Sequence, residues 1–156
     1  MQKLPESELI RKTLTIRQMD VPPSTQLTKR AMLRWFALAI GQISENESRD
    51  TGVNVIDAVF YFLISKRKQP TTLEVIEYIK EKHKKEMSEK LTRYHLNKLI
   101  DLGFLQRKGN KYMLNAAPLA ERDDLKQSFE YWSAKTFQEG ISNIKLVLDK
   151  LVESYK

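Results

Sequence analysis

Apolar residues between Val53 and Asn115 recur at spacings that spell four elements in succession. Val55, Ile56, Val59, Phe60 and Leu63 lie three and four apart, predicting a helix that runs to Lys66 and is closed by Lys66-Arg67-Lys68 and Pro70. Thr71, with Glu74 three residues on, is a capping box that opens a second helix through Leu73, Val75, Ile76 and Ile79 to about His83. After a short charged link, Lys84-Lys85-Glu86-Met87, Ser88 caps a third helix over 88–102, which Gly103 ends. Thr92, Leu96, Leu99 and Leu102 share one face of it, leaving Lys90, Arg93, Tyr94, Asn97 and Lys98 on the other. Phe104 to Lys108 and Lys111 to Leu114 are β-prone runs about the turn pair Gly109-Asn110, a hairpin.

The flanks follow other patterns. Met32, Leu33, Trp35, Phe36, Leu38, Ala39 and Ile40 make a helix over 28–41 apolar around most of its circumference. Thr28 is its cap, and a small helical domain is too small to cover it, so the C-terminal region or a second subunit is needed as a lid. Thr13-Leu14-Thr15-Ile16-Arg17 alternates polar and apolar like a short strand, and Asp20-Val21-Pro22-Pro23-Ser24 reads as a rigid extended linker. Ser44 to Gly52 is a polar loop and a boundary. Beyond Pro118, Leu125, Phe129 and Trp132 form one helical stripe, while Phe137, Ile141, Ile144, Leu148, Leu151 and Tyr155 alternate in steps of four and three, a heptad seam. The two stripes are offset across Lys135-Thr136, so either one helix shifts its stripe or two helices meet there.

Three helices and a hairpin in this order make a winged helix-turn-helix, in which 88–102 is the recognition helix and 104–114 the wing. Tyr94-His95-Leu96-Asn97-Lys98-Leu99, Gly103-Phe104-Leu105 and Gly109-Asn110-Lys111-Tyr112 resemble winged-helix transcriptional regulators. They are most similar to archaeal proteins of the broad group that includes the ArsR, MarR and PadR repressors, over residues 53–115. Lys12 to Ile16, Asp20 to Pro23 and the helical tail are similar to a further set of archaeal predicted regulators. The resemblance implies a mainly α fold with a small β-hairpin. Its parts are an N-terminal extension at 1–52, a DNA-binding domain at 53–115 and a helical dimerisation region at 116–156.

Charge sharpens this picture. The net charge of +7 is concentrated in residues 53–115, which hold thirteen Lys or Arg against seven Asp or Glu. The first 52 residues contribute +2 and the last 41 contribute −1. Such a basic module suits a polyanionic partner, since Lys and Arg release counterions from phosphates. The alternative reading of the same lysines is a solvated surface. On the outward helix face, Lys90, Arg93, Tyr94 and Asn97 are the residues expected to read bases, because Arg can bridge guanine O6 and N7 and Asn can pair with adenine. Lys84, Lys85 and Lys98 suit phosphates, and Arg107, Lys108 and Lys111 bracket the wing beside the backbone or minor groove. His95, beside Leu96, reads as a packed histidine; Leu96, Leu99, Phe104 and Tyr112 as core. Phe129, Trp132, Phe137, Ile141, Ile144, Leu148 and Leu151 are expected to dimerise the chain, placing two recognition helices about 34 Å apart on a palindromic duplex site.

Other chemistries find little support. The chain has no cysteine, so disulfides and thiolate metal sites are excluded. His83 and His95 stand twelve apart without a carboxylate at metal spacing, and the five glycines form no phosphate-cradling loop. Asp123-Asp124 is a solvated helix start. No enzyme, cofactor or metal is therefore expected. The first residues lack a signal-peptide core and Ala31 to Ile40 is too short to span a bilayer, which points to a cytoplasmic, nucleoid-associated protein. Trp35, Phe36, Trp132 and Phe137 offer a place for a small-molecule effector, although aromatics at helical spacing ordinarily form core. The competing functional readings are a winged helix that docks on transcription or replication proteins and a nonspecific architectural DNA binder.

Overall fold

A computed structural model describes residues 2–46, 50–121 and 124–156. Five helices, α1 (Lys29–Ala39), α2 (Thr51–Phe60), α3 (Thr72–His83), α4 (Glu89–Asp101) and α5 (Leu125–Ser154), accompany one antiparallel hairpin, β1 (Leu105–Lys108) and β2 (Lys111–Leu114). The protein is thus mainly helical, with a two-stranded hairpin and a long C-terminal helix.

The central helix is α2. Every residue from Gly52 to Val59 is buried, because α1, α3 and α4 all pack against it. Its polar members survive there through partners: Asn54 Oδ1 accepts from Arg30 Nη1 at 2.9 Å, and Asp57 Oδ2 accepts from Tyr78 Oη at 3.1 Å and lies 2.7 Å from His83 Nε2. Where the pattern predicts α-helix to Lys66, the last turn, Tyr61–Ser65, widens into a π-helix. That turn stacks Tyr61 on Tyr78 of α3, with ring centroids 4.5 Å apart.

Capping is as predicted. Thr71 and Glu74 form a reciprocal capping box, and Ser88 Oγ accepts from Leu91 N at 3.1 Å. Leu73 departs from the expected inner face of α3 and is 62% exposed, while Val75 and Ile79 are buried. On α4, Thr92, Leu96 and Leu99 are buried, and each buried leucine contributes about 1.5–3 kcal/mol. At Gly103 the chain reverses with φ +89°, a conformation open to glycine, and Trp132 Cβ lies 2.8 Å from where an added Cβ would stand. The hairpin pairs Leu105 with Leu114 and Lys108 with Lys111 across Gly109-Asn110. A contact invisible in the pattern extends it: Tyr112 N donates to Pro70 O at 2.8 Å and Thr71 bridges Lys111, so the chain between α2 and α3 lies along β2.

The N-terminal extension differs from expectation in three respects. Thr13 to Arg17 forms no strand, since the one sheet among the described residues pairs only β1 with β2. Instead Arg17 closes the end of α1: its N–H donates to Ala39 O at 2.8 Å, and its guanidinium donates to Leu38 O at 2.6 Å and Ile43 O at 3.0 Å. The Asp20–Ser24 linker is not extended throughout, since Pro23–Gln26 coils into a single 3₁₀ turn initiated by proline. Helix α1 needs no second subunit to cover it. Leu33 and Ala37 join the core of α2–α4, Phe36 meets Phe60, Phe104 and Phe129, and Met32 is left partly in solvent. Its cap is as read, with Thr28 Oγ1 accepting from Ala31 N. Helix α2 starts two residues earlier than predicted, at Thr51; residues 47–49 of the polar loop lie outside the described residues.

A single helix accounts for both C-terminal stripes. Helix α5 runs unbroken through Lys135-Thr136 and Gly140 for 30 residues, about 45 Å. The stripe shift marks the point where it leaves the body. Before it, Phe129 packs on Phe36, Ser128 Oγ accepts from Ala117 N at 3.1 Å, and Trp132 Nε1 donates to Ala116 O at 3.3 Å. From Gln138 to Lys156 every residue is exposed. Asp124 Oδ1 caps the helix through Gln127 N, and Asp123 lies outside the described residues.

Candidate nucleic-acid interface

The outward face of α4 is set by what its inner face buries. With Thr92, His95, Leu96 and Leu99 turned inward, Lys90, Arg93, Tyr94 and Asn97 are all exposed along one side of the helix. Lys90 and Asn97 are exposed side chains that can donate to a ligand. Arg93 Nη2 lies 3.4 Å from Glu89 Oε2 one turn back, and both side chains are half exposed. Such a pair is worth about 0.3–0.5 kcal/mol, so the guanidinium is oriented along the helix yet easily released to a ligand.

Lys98 sits differently from its neighbours. Its ammonium lies 4.8 Å from the centre of the Tyr94 ring and 3.4 Å from Gly41 O, which turns it toward the end of α1 and half buries the side chain. Lys98 therefore ties α4 to α1 rather than standing free at the surface. Lys84 ends α3 in the left-handed region at φ 56°, its N–H donating to Lys80 O, and Lys85 follows it into solvent.

His95 is buried behind this face. Gln42 Nε2 donates to its backbone oxygen at 3.0 Å, Thr51 Oγ1 lies 3.3 Å from Nε2, and Nδ1 has no partner among the described residues. Burial, helped by the charge of Lys98, pushes the imidazole pKa down to about 4, so the ring is neutral at physiological pH. Tyr78, desolvated and facing the Asp57 carboxylate, is pushed up to about 12 and remains a donor. On α3, the Lys68 ammonium holds the Glu74 carboxyl below its usual range.

At the hairpin tip, Arg107, Lys108 and Lys111 are all exposed. Arg107 Nε donates to Gly109 O at 2.8 Å and its guanidinium lies 5.7 Å from the Tyr112 ring, which braces the turn. Lys108 and Lys111 are direct cross-strand partners, and like charges so placed repel unless an anion lies between or beside them. Sequence reasoning did not assign the Lys66-Arg67-Lys68 tract to this surface. Pairing of Pro70 and Thr71 with the start of β2 brings the loop that carries it alongside the turn end of the hairpin, a contact across about forty residues that local patterning does not signal.

The seven residues expected to dimerise the chain divide in two. Phe129 and Trp132 pack within their own chain, and Phe137 is half buried at the edge of the body. Ile141, Ile144, Leu148 and Leu151 are exposed, together with Val147 and Val152 on the adjoining positions. Of the four aromatics considered for an effector, Trp35 donates through Nε1 to Asp20 O and Phe36 lines an apolar cleft; Trp132 and Phe137 do not line that cleft.

Among the described residues no cluster of three metal-ligating side chains occurs, and no helix is long and apolar enough to cross a membrane. No protein-family model matches this chain, and no curated protein or solved structure matches it either.

Proposed function

We propose that the protein is a winged helix-turn-helix that binds double-stranded DNA as a homodimer and regulates transcription, with α4 in the major groove and the β1–β2 hairpin against the backbone or minor groove. The observation that carries this reading is the pairing of two surfaces: four exposed donors along α4, and a hairpin tip whose opposed, exposed lysines favour an anionic partner. The chain order supports it, since three helices, α2 to α4, are followed directly by the hairpin, and the Thr71–Lys111 bridge ties the α2–α3 connection to β2.

Dimerisation is supported by the free half of α5. Ile141, Ile144, Leu148 and Leu151 form a seam in four-three spacing on a helix whose residues beyond Phe137 are all exposed, and leaving such a stripe in water forgoes several kcal/mol. A second copy satisfies it symmetrically.

Selection from a pool of genomic duplex fragments, followed by anisotropy titration across a salt series, tests the proposal. Recovery of a palindromic motif bound far more tightly than bulk DNA is the expected result. Weak, motif-free binding lost at modest salt would replace it with an architectural role. No binding at low salt would transfer the basic face to a protein partner.

A further inference from the structure

A cleft of about 360 Å³ opens between α1 and the first turns of α5. Met32, Leu33, Phe36, Phe60, Phe104 and Phe129 form most of its wall, and three of the four phenylalanines meet Phe36 at centroid distances of 5.8, 6.2 and 6.4 Å. Its only polar lining residues are Lys29 and Lys126, both exposed, and no acidic side chain lines it among the described residues. The two lysines line the cleft almost wholly through their aliphatic stems, so its walls are apolar and the charged ends belong to its solvent side, an arrangement that suits an apolar body ending in a negative charge. Nothing in the proposed DNA-binding reading uses this cleft, whose walls belong to α1, α2, Phe104 and α5 rather than to the outward face of α4.

We propose that this cleft binds an amphiphilic monocarboxylate, with an aliphatic body of about eight to twelve carbons among the phenylalanines and its carboxylate between Lys29 and Lys126. The volume stands at the lower end of the ~300–1,000 Å³ usual for small-ligand sites, which suits a single chain rather than a two-chain lipid. Apolar burial makes the affinity depend on length, each added methylene tightening binding about fourfold until the cleft is filled. The two exposed ammonium groups add about three- to tenfold over a neutral head group, and salt diminishes that increment.

Calorimetric titration of the full chain with hexanoate, octanoate, decanoate and decanol, each below its aggregation limit, tests this. One decanoate per chain is expected, bound more tightly than octanoate and more tightly than decanol. Lys126→Glu, on an exposed helical position, is expected to erase the advantage of decanoate over decanol while leaving decanol binding intact. Met32→Trp, which extends a partly exposed side chain into the cleft without disturbing the core, is expected to abolish both. Absence of saturable binding by any of the four compounds overturns the proposal, as does binding that Met32→Trp leaves unchanged. Equal affinity for decanoate and decanol overturns the head-group assignment. Loss of self-association in Met32→Trp, without decanoate binding to the native chain, would assign the cleft to a second copy instead. None of these readouts involves DNA, so they stand or fall separately from the regulatory reading.

Discussion

Lowering the pH should destabilise this protein through His95 in a way that a single substitution removes. In the fold the imidazole is buried, with Nδ1 unpartnered among the described residues and Lys98 nearby, and its pKa is pushed down to about 4 from an ordinary 6.5. The unfolded chain takes up a proton near pH 6.5, whereas the native chain resists until about 4, so between those values the unfolded state binds more protons and stability falls as pH falls. Above pH 6.5 both states are neutral at this position and nothing is lost. Each unit of displacement is worth about 1.4 kcal/mol, and integration from pH 7 to pH 4.5 gives a loss of about 2 kcal/mol from this residue. Urea unfolding at pH 7.0, 6.0, 5.2 and 4.5 reads it out, with native protein and His95→Leu measured side by side. Carboxylates such as Glu74 titrate in both proteins and cancel in the difference. His95→Leu should be the less stable at pH 7, having lost the Thr51 contact, but its curve against pH should be flatter by about 2 kcal/mol. Parallel curves would mean that the native fold accommodates the imidazolium, and that the burial argument is wrong.

Three further outcomes are expected. In anisotropy titrations Arg93→Ala and Asn97→Ala should each cost about 1–3 kcal/mol on the selected site and relax its sequence preference, while Lys108→Ala should weaken all sequences alike and lower the salt slope by about one; unchanged affinity in all three would remove α4 and the hairpin from the interface. Truncation of residues 139–156 should leave a folded monomer by sedimentation velocity, because every residue of that part of α5 is exposed, and a dimer that persists would place the interface elsewhere. Gly103→Ala should destabilise by about 2–4 kcal/mol in thermal unfolding, since the new Cβ would sit at φ +89° and 2.8 Å from Trp132 Cβ; a loss below ~0.5 kcal/mol would show that α5 moves aside freely.

What was legible in the chain alone is what depends on neighbours within a turn or two. The Thr71–Glu74 box, the Ser88 and Thr28 caps, the inner face of α4 and the Gly109-Asn110 turn all rest on contacts spanning a few residues. Side-chain spacing therefore determined them. Exposure of Lys90, Arg93, Tyr94 and Asn97 follows from the same periodicity, as does the apolar stripe of the tail, although what each binds does not.

Other features were decided only when distant segments met. Thr13 to Arg17 has a strand's alternation, but a strand needs an edge to pair with. The guanidinium of Arg17 instead donates to the carbonyls of Leu38, in the last turn of α1, and of Ile43, just beyond it. Periodicity could not say that Lys98 turns back to Gly41, that Pro70 and Thr71 join the hairpin, or that Phe129 and Trp132 are consumed inside the chain. The offset between the two stripes of α5 was visible from the start, yet its meaning was not. One stripe serves the body and the other faces solvent, because α5 outruns the surface that α1 and the segments flanking the hairpin present to it. Local spacing determines which face of a helix is apolar; only the packing of the whole chain determines which part of that face is already covered.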